Sequence, residues 1–240
     1  MATSTVALKD ITVDPTIQIR RSNHEPTIRR YEESFDKLPP VVVFKTADGM
    51  LLADGFHRVA AAERLGKYHV EAEIKKGTRD DALEYAVVAN TKNADPLTPD
   101  ERDEGIRRLK QLHPKWTLRE IAEVMSVSYV TVKRVFDVDE VRRSVVVPVT
   151  RVTTSHYSEI AAAPKKDWEP LVKAAEKRAW SRDDTRQAVQ NLKDPNVPAE
   201  HKRSMLAGRA DPLIPTESGL AASPGVVSRR LRDMQANDAL

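Results

Sequence analysis

The chain has no cysteine among its 240 residues, which excludes a disulfide framework and any thiolate-ligated metal. Its six histidines are scattered, with no pair at ligand spacing. No apolar run approaches the roughly 18 residues needed to cross a bilayer, and the N-terminus lacks the apolar core of a signal peptide. A cytoplasmic protein without a membrane partner is expected. Aromatic residues are only 5% of the chain, so a folded body rests on the 40% hydrophobic content. Charge of one sign is also missing. Lys and Arg number 39 against 36 Asp and Glu, so bulk charge decides little about partners. The length suits one to two domains with real cores.

What is present is concentrated in two segments. The first is Ala53–Gly66, ADGFHRVAAAERLG, a Gly-x-x-Arg turn between an apolar strand and an alanine-rich helix. Gly55 lets the backbone approach a ligand closely. The first amides of the following helix have no intrahelical acceptor, and the helix dipole favours negative charge there. Arg58 adds a fork of donors matched to phosphate oxygens. Val41–Phe44 and Met50–Ala53 read as strands joined by a hairpin at Ala47-Asp48-Gly49. Ala61, Ala62 and Leu65 fall at helical spacing before Gly66 ends the helix.

The second segment is Trp116–Phe136, WTLREIAEVMSVSYVTVKRVF. Thr117 and Glu120 form a capping box, and Leu118, Ile121, Ala122 and Met125 make one apolar face. A turn at Ser126-Val127-Ser128 leads to a second helix capped by Ser128, whose inner side holds Val132, Val135 and Phe136. This is the spacing of a helix-turn-helix, in which the second helix enters the major groove of double-stranded DNA. Ser128, Tyr129, Val130, Lys133 and Arg134 would face the bases, Arg134 suiting guanine. Lys115, Thr117 and Arg119 would grip phosphate. Residues 107–136 hold seven basic and two acidic side chains, a local net charge of +5, as an electrostatic footprint requires. A two-helix packing unit with a solvated basic face is the alternative.

Caps and breakers set the boundaries. Thr98-Pro99-x-Glu101 opens a helix over about Pro99–Leu112 that Pro114 ends. Further helices are expected over Thr153–Ala163 and Trp168–Trp180, and after the Ser181/Asp184 cap, with the tryptophans in the core. The role of the β-branched stretch Val138–Val149 is open. Residues 194–240, rich in proline and with balanced charge, read as a largely disordered tail with a short helix near Val226–Met234. The domains are therefore 1–95, 96–193 with the helix-turn-helix at 117–136, and a flexible tail over 194–240.

The order of strand, hairpin, strand, Gly-x-x-Arg, helix, strand (Val70–Ile74) and helix (Arg79–Asn90) resembles the N-terminal domain shared by ParB partition proteins, sulfiredoxin and free-serine kinases. Ile11–Arg20, ITVDPTIQIR, is similar to that family's opening box, and Ala89–Glu101, ANTKNADPLTPDE, to its Glu-Asn box. Ser155–Pro164 and the Trp180-Ser181-Arg182 start resemble helices that complete the ParB DNA-binding domain. The resemblance implies an α/β ParB/sulfiredoxin-like domain followed by an all-α helix-turn-helix domain. It further implies a bound nucleotide, CTP or another nucleoside triphosphate with Mg²⁺. On matching positions Gly55 and Arg58 would contact phosphate, Arg20 would reach it, and Asn90 would help hold the phosphate–Mg²⁺ group; a plain helix-end cap is the other reading of Asn90.

The departures are as informative. Ala89 stands where the family carries a carboxylate, which puts hydrolysis in doubt, and no protein cluster supplies a metal site of its own. Phe56 and His57 replace the usual Glu-Arg inside the turn. Asp54-Gly55-Phe56-His57-Arg58 is closer to the Asp-Gly-x-His-Arg turn of the serine kinases. Asp54 and His57 then become candidate general bases, against a reading in which Asp54 caps the turn and His57 packs locally. Sulfiredoxin chemistry needs a cysteine here and is excluded. No dimerisation domain is evident and Met1–Lys9 holds no arginine; a homodimer is left open.

The expected function is sequence-specific DNA binding coupled to nucleotide, in plasmid or phage partition or in transcriptional regulation, in association with nucleoid or plasmid DNA. The alternatives are a nucleotide-dependent kinase or nuclease with a DNA-targeting helical domain, and a plain repressor. The Asn90–Leu97 segment is the expected coupling hinge.

Overall fold

Val41–Phe44 is apolar on both sides of the chain, the pattern of a strand covered on both faces, and it lies at the centre of a five-stranded sheet. The computed structural model describes residues 3–20, 25–91, 97–215 and 221–222. Two compact units make up the chain, Met1–Val132 and Lys133–Leu240.

The first unit opens with β1 (Thr3–Ala7) and β2 (Ile11–Thr12), followed by α1 (Glu25–Glu33). Next come β3 (Val41–Thr46), β4 (Gly49–Asp54), α2 (Phe56–Arg64), β5 (His69–Lys76) and α3 (Arg79–Thr91). The sheet order is β1-β5-β3-β4-β2. β3 pairs with β4 antiparallel through the predicted hairpin and with β5 in parallel, the crossover being carried by α2. β1 closes one edge antiparallel to β5, and β2 the other parallel to β4. α1 packs on α2, and α3 packs on β4 and β3. The buried face of α3 is Ala82, Leu83, Ala86, Val87 and Asn90, a helical repeat facing the sheet.

The α2 reading holds except at its end, where Leu65 is exposed rather than packed. β1 and α1 have no counterpart in the sequence reading. α1 carries a usable signal: Pro26 in its first turn and Ile28, Tyr31 and Phe35 at i, i+3 and i+7.

α4 (Pro99–Leu112), α5 (Leu118–Val124) and α6 (Tyr129–Ser144) follow, and the division between the units falls inside α6. Both predicted capping boxes form, Thr98 with Glu101 and Thr117 with Glu120. The corner between α4 and α5 is braced. His113 and Trp116 stack with ring centroids 3.7 Å apart, His113 Nε2 lies 2.9 Å from Glu84, and Lys110 Nζ donates to Pro114 O at 2.9 Å and to Trp116 O at 2.5 Å.

The second unit is helical: α7 (Thr154–Ile160), α8 (Trp168–Arg178), α9 (Arg182–Lys193) and α10 (Ala199–Leu206), with a short β6/β7 pair (Ile214–Pro215 with Ala221–Ala222). Its core gathers Val138, Val141, Tyr157, Ile160, Trp168, Leu171, Trp180 and Met205. Both tryptophans are buried, with Trp168 Nε1 donating to Ala163 O at 3.0 Å. The valine stretch after α6 acquires a role here, since Val145 is buried and Val147 and Val149 pack against the same core. α10 lies within the segment read as tail, and its Met205 is fully buried; the helix expected near Val226–Met234 lies outside the described residues.

A cavity beside the Gly55 turn and an exposed helix pair

Gly55 sits at φ +97°, in the left-handed region, as the residue before the first turn of α2. A Cβ placed there would lie 2.7 Å from Val41 Cγ1 and 2.9 Å from Arg58 Nε, so only glycine fits. The turn opens onto a cavity of about 420 Å³. Five segments build its wall: Gln18-Ile19-Arg20 from the opening box, Arg30 and Tyr31 among others from α1, Pro39 before β3, Asp54–Arg58 from the turn, and Asn90 from the end of α3. Every residue expected at the nucleotide site, Arg20, Gly55, Phe56, His57, Arg58 and Asn90, lines it.

Arg58 is held by the protein itself. Nη1 donates to Pro39 O at 2.8 Å and Pro40 O at 2.7 Å, and Nη2 donates to Asp54 Oδ2 at 2.7 Å. Its side chain is only 12% exposed. Two of its five N–H bonds, Nε and one on Nη2, are left for a ligand. Asp54 therefore anchors Arg58 rather than capping the turn, and the carboxylate expected to act as a base already accepts a charge-assisted bond. Asn90 is buried and its Nδ2 donates to Ala86 O at 2.7 Å, one turn back. Its amide is thus fixed while Oδ1 keeps acceptor capacity.

Arg30, Tyr31 and Gln18 are site residues that the sequence reading missed. Arg30 lies over the Tyr31 ring, 5.6 Å from the centroid. The donor set fits a polyphosphate: a glycine cradle with no room for Cβ, a helix N-terminus, and three arginines and a histidine around one cavity. No group of three or more His, Asp or Glu able to hold a metal occurs among the described residues. Residues 92–96 of the expected hinge lie outside the described residues.

α5 ends in a Schellman turn. Val127 N donates to Ala122 O at 3.0 Å and Ser126 N to Glu123 O at 3.1 Å, with Ser126 at φ +52°. Ser128 then caps α6 by accepting from Thr131 N at 3.1 Å. Ile121, Ala122, Met125, Val132 and Val135 are buried, whereas Phe136, expected inside, is half-buried; Val138 and Val141 continue the inner stripe instead.

Lys115, Thr117, Arg119, Ser128, Tyr129, Val130 and Lys133 are exposed and Arg134 is half-exposed. Arg119 lies over the Tyr129 ring at 5.8 Å. Part of the expected positive charge is committed internally: Arg108 to Glu104 at 3.0 Å, Lys110 to the α4–α5 corner, and Lys133 to Asp137.

No family model matches the chain. The transcriptional regulator NovG of Streptomyces niveus is 31% identical over 118 residues, 49% of this chain and 36% of that protein. A possible regulatory protein of the streptomycin biosynthesis operon of Streptomyces griseus is 30% identical over 105 residues, 44% of this chain and 29% of that protein. The C-terminally truncated chromosome-partitioning protein ParB of Caulobacter crescentus, solved in complex with its centromeric parS site, superposes with a TM-score of 0.54 at 23% identity, covering 78% of this chain and 98% of that one. The chain has the ParB/sulfiredoxin fold. The order of elements from β3 to α6 follows the sequence reading, whereas β1, α1 and α10 do not. The matched region spans about a third of the length of the two curated regulators. Among the described residues no helix is long and apolar enough to cross a membrane.

Proposed function

We propose that this chain is a ParB-like DNA-binding protein, acting in regulation or partition, whose first unit binds a nucleoside triphosphate, CTP in the first instance, carried with Mg²⁺. The observation that supports the nucleotide reading is the cavity beside Gly55, where the α2 N-terminus and the Arg20, Arg30, His57 and Arg58 side chains converge. Bound there, the nucleotide supplies the negative charge that this cationic wall is built to neutralise. Gly55 admits the phosphate chain close to the α2 amides, the two uncommitted N–H bonds of Arg58 donate to it, and Asn90 Oδ1 accepts from a ligand group or its hydrated cation. With Asp54 held by Arg58 and Ala89 in place of a carboxylate, binding rather than turnover is the expected activity.

DNA contact is assigned to the start of α6. Tyr129, Val130, Lys133 and Arg134 lie at i, i+1, i+4 and i+5 on one helical face, the arrangement that a groove-reading helix presents to base edges. Lys115, Thr117 and Arg119 flank it for phosphate. The likeness to NovG and to the parS-bound ParB agrees with this reading.

A thermal-shift panel of CTP, ATP, GTP and UTP with Mg²⁺ tests the first half. A ligand at 100 times its Kd stabilises by about 2.7 kcal/mol, several degrees for a unit of this size. No shift with any of the four refutes it. For the second half, random-site selection should return a defined sequence. Arg134→Ala should weaken binding to that site by about 1–3 kcal/mol, and Lys115→Ala should instead lower the salt slope by about one.

A further inference from the structure

α4 grips the wall of the cavity by its backbone. Arg108 Nη1 donates to Thr16 O at 2.8 Å and Gln18 O at 3.3 Å, carbonyls some ninety residues earlier in the chain. Its Nε is fixed by Glu104 on the same helix at 3.0 Å, so the guanidinium is aimed before it meets the loop, and the side chain is 20% exposed. The loop is pinned from a second side. Asp14 accepts from Thr16 N at 2.8 Å and from Arg79 Nε and Nη2 at 3.1 and 3.0 Å. The Thr16 hydroxyl, with Arg79, holds the Asp14 carboxyl below the usual range. Ile17 and Ile19 are buried, and between and beyond them Gln18 and Arg20 line the cavity.

We infer that Arg108 is a positioning residue that couples α4 to the nucleotide cavity, setting where Gln18 and Arg20 stand. The inference rests on the nucleotide reading above. An arginine bonded to two carbonyls fixes main chain rather than a single rotamer, so a shift of α4 must either move the Thr16–Arg20 wall or break both bonds. α4 continues through the braced His113–Trp116 corner into α5. Any ligand that favours one position of the wall therefore favours one position of α4, and the dependence is reciprocal. The latch lies outside the Asn90–Leu97 segment that the sequence suggested for this role.

The test uses the full chain as wild type, Arg108→Ala and Arg108→Lys, with CTP and ATP, each with Mg²⁺, as calorimetric titrants and amide hydrogen exchange as a local readout. Arg108→Ala should bind nucleotide on the order of tenfold more weakly, within the range usual for coupled sites. Exchange should quicken at Ile17–Arg20 while the sheet amides of β3 stay protected. Arg108→Lys should restore part of both, since an ammonium can still reach a carbonyl. Affinity within twofold of wild type together with unchanged exchange at Ile17–Arg20 would overturn the latch while leaving the cavity reading intact. If wild type binds neither nucleotide, the cavity reading falls, and unchanged exchange in Arg108→Ala then overturns the latch on its own.

Discussion

A single Cβ decides whether the turn at Gly55 can exist. Gly55→Ala would force the left-handed φ on an L-residue, about 1–2 kcal/mol, and drive a methyl to 2.7 Å from Val41 Cγ1. A loss of more than about 2 kcal/mol in urea denaturation is expected, together with loss of nucleotide binding. A stable variant that still binds would contradict this account of the turn. Glu176 offers a different residue-scale test. Its carboxylate accepts from Thr150 Oγ1 at 2.7 Å and from the amides of Thr150, Arg151 and Val152. The Thr150 hydroxyl first, then those amides, bring its pKa from 4.5 down to about 2. A folded value below the unfolded one means that the stabilisation is complete above pH 4.5 and is lost as pH falls toward 2. Glu176→Gln should therefore flatten the stability profile between pH 5 and 2. An unchanged acid limb would show that these bonds do not form in solution.

At the scale of elements, four helices among the described residues end in the same way. α2, α5, α8 and α10 each close with a residue at φ between +52° and +65°: Gly66, Ser126, Ala179 and Gly208. In each, the next residue's N–H bonds five residues back, as Lys67 does to Ala62 O and Trp180 to Ala175 O. Glycine occupies two of these positions at no steric cost, whereas Ser126 and Ala179 carry a Cβ into the left-handed region. Ser126→Gly and Ala179→Gly should each raise stability by up to about 1 kcal/mol, the left-handed penalty offset in part by the unfolded-chain entropy of glycine. Equal midpoints for variant and wild type would show that local packing already cancels the strain.

These elements also show what a sequence can and cannot disclose. The capping boxes at Thr98, Thr117 and Ser181 and the alternation from β3 to α3 are local patterns, and they are found where their residues say. So is the convergence of Gly55 and Arg58 in one turn. The partnership of Arg58 with Pro39 and Pro40, and of Arg108 with Thr16 and Gln18, depends on distant backbone carbonyls that carry no side-chain signature. β1, five residues with Val6 buried, is too short for periodicity to separate from loop, whereas α1, whose Pro26 start and Ile28/Tyr31 spacing were legible in the sequence, supplies one wall of the cavity.

For the whole molecule, the boundary between folded body and C-terminal segment lies later than composition suggests. Met205 is fully buried among Trp168, Leu171 and their neighbours, and Trp180 Nε1 donates to Asp211 at 3.2 Å. A chain ending at Lys193 strips that cover from the second unit. Met205→Ala should cost about 2–5 kcal/mol in the unfolding of that unit; a change below 1 kcal/mol would show that α10 is dispensable. The braced corner between α4 and α5 has a mechanical consequence. An aromatic stack, a lysine staple across two carbonyls and the His113–Glu84 contact tie it at three points. A small rotation delivered to one end of this rod is expected to arrive undiminished at the other, as in a crank.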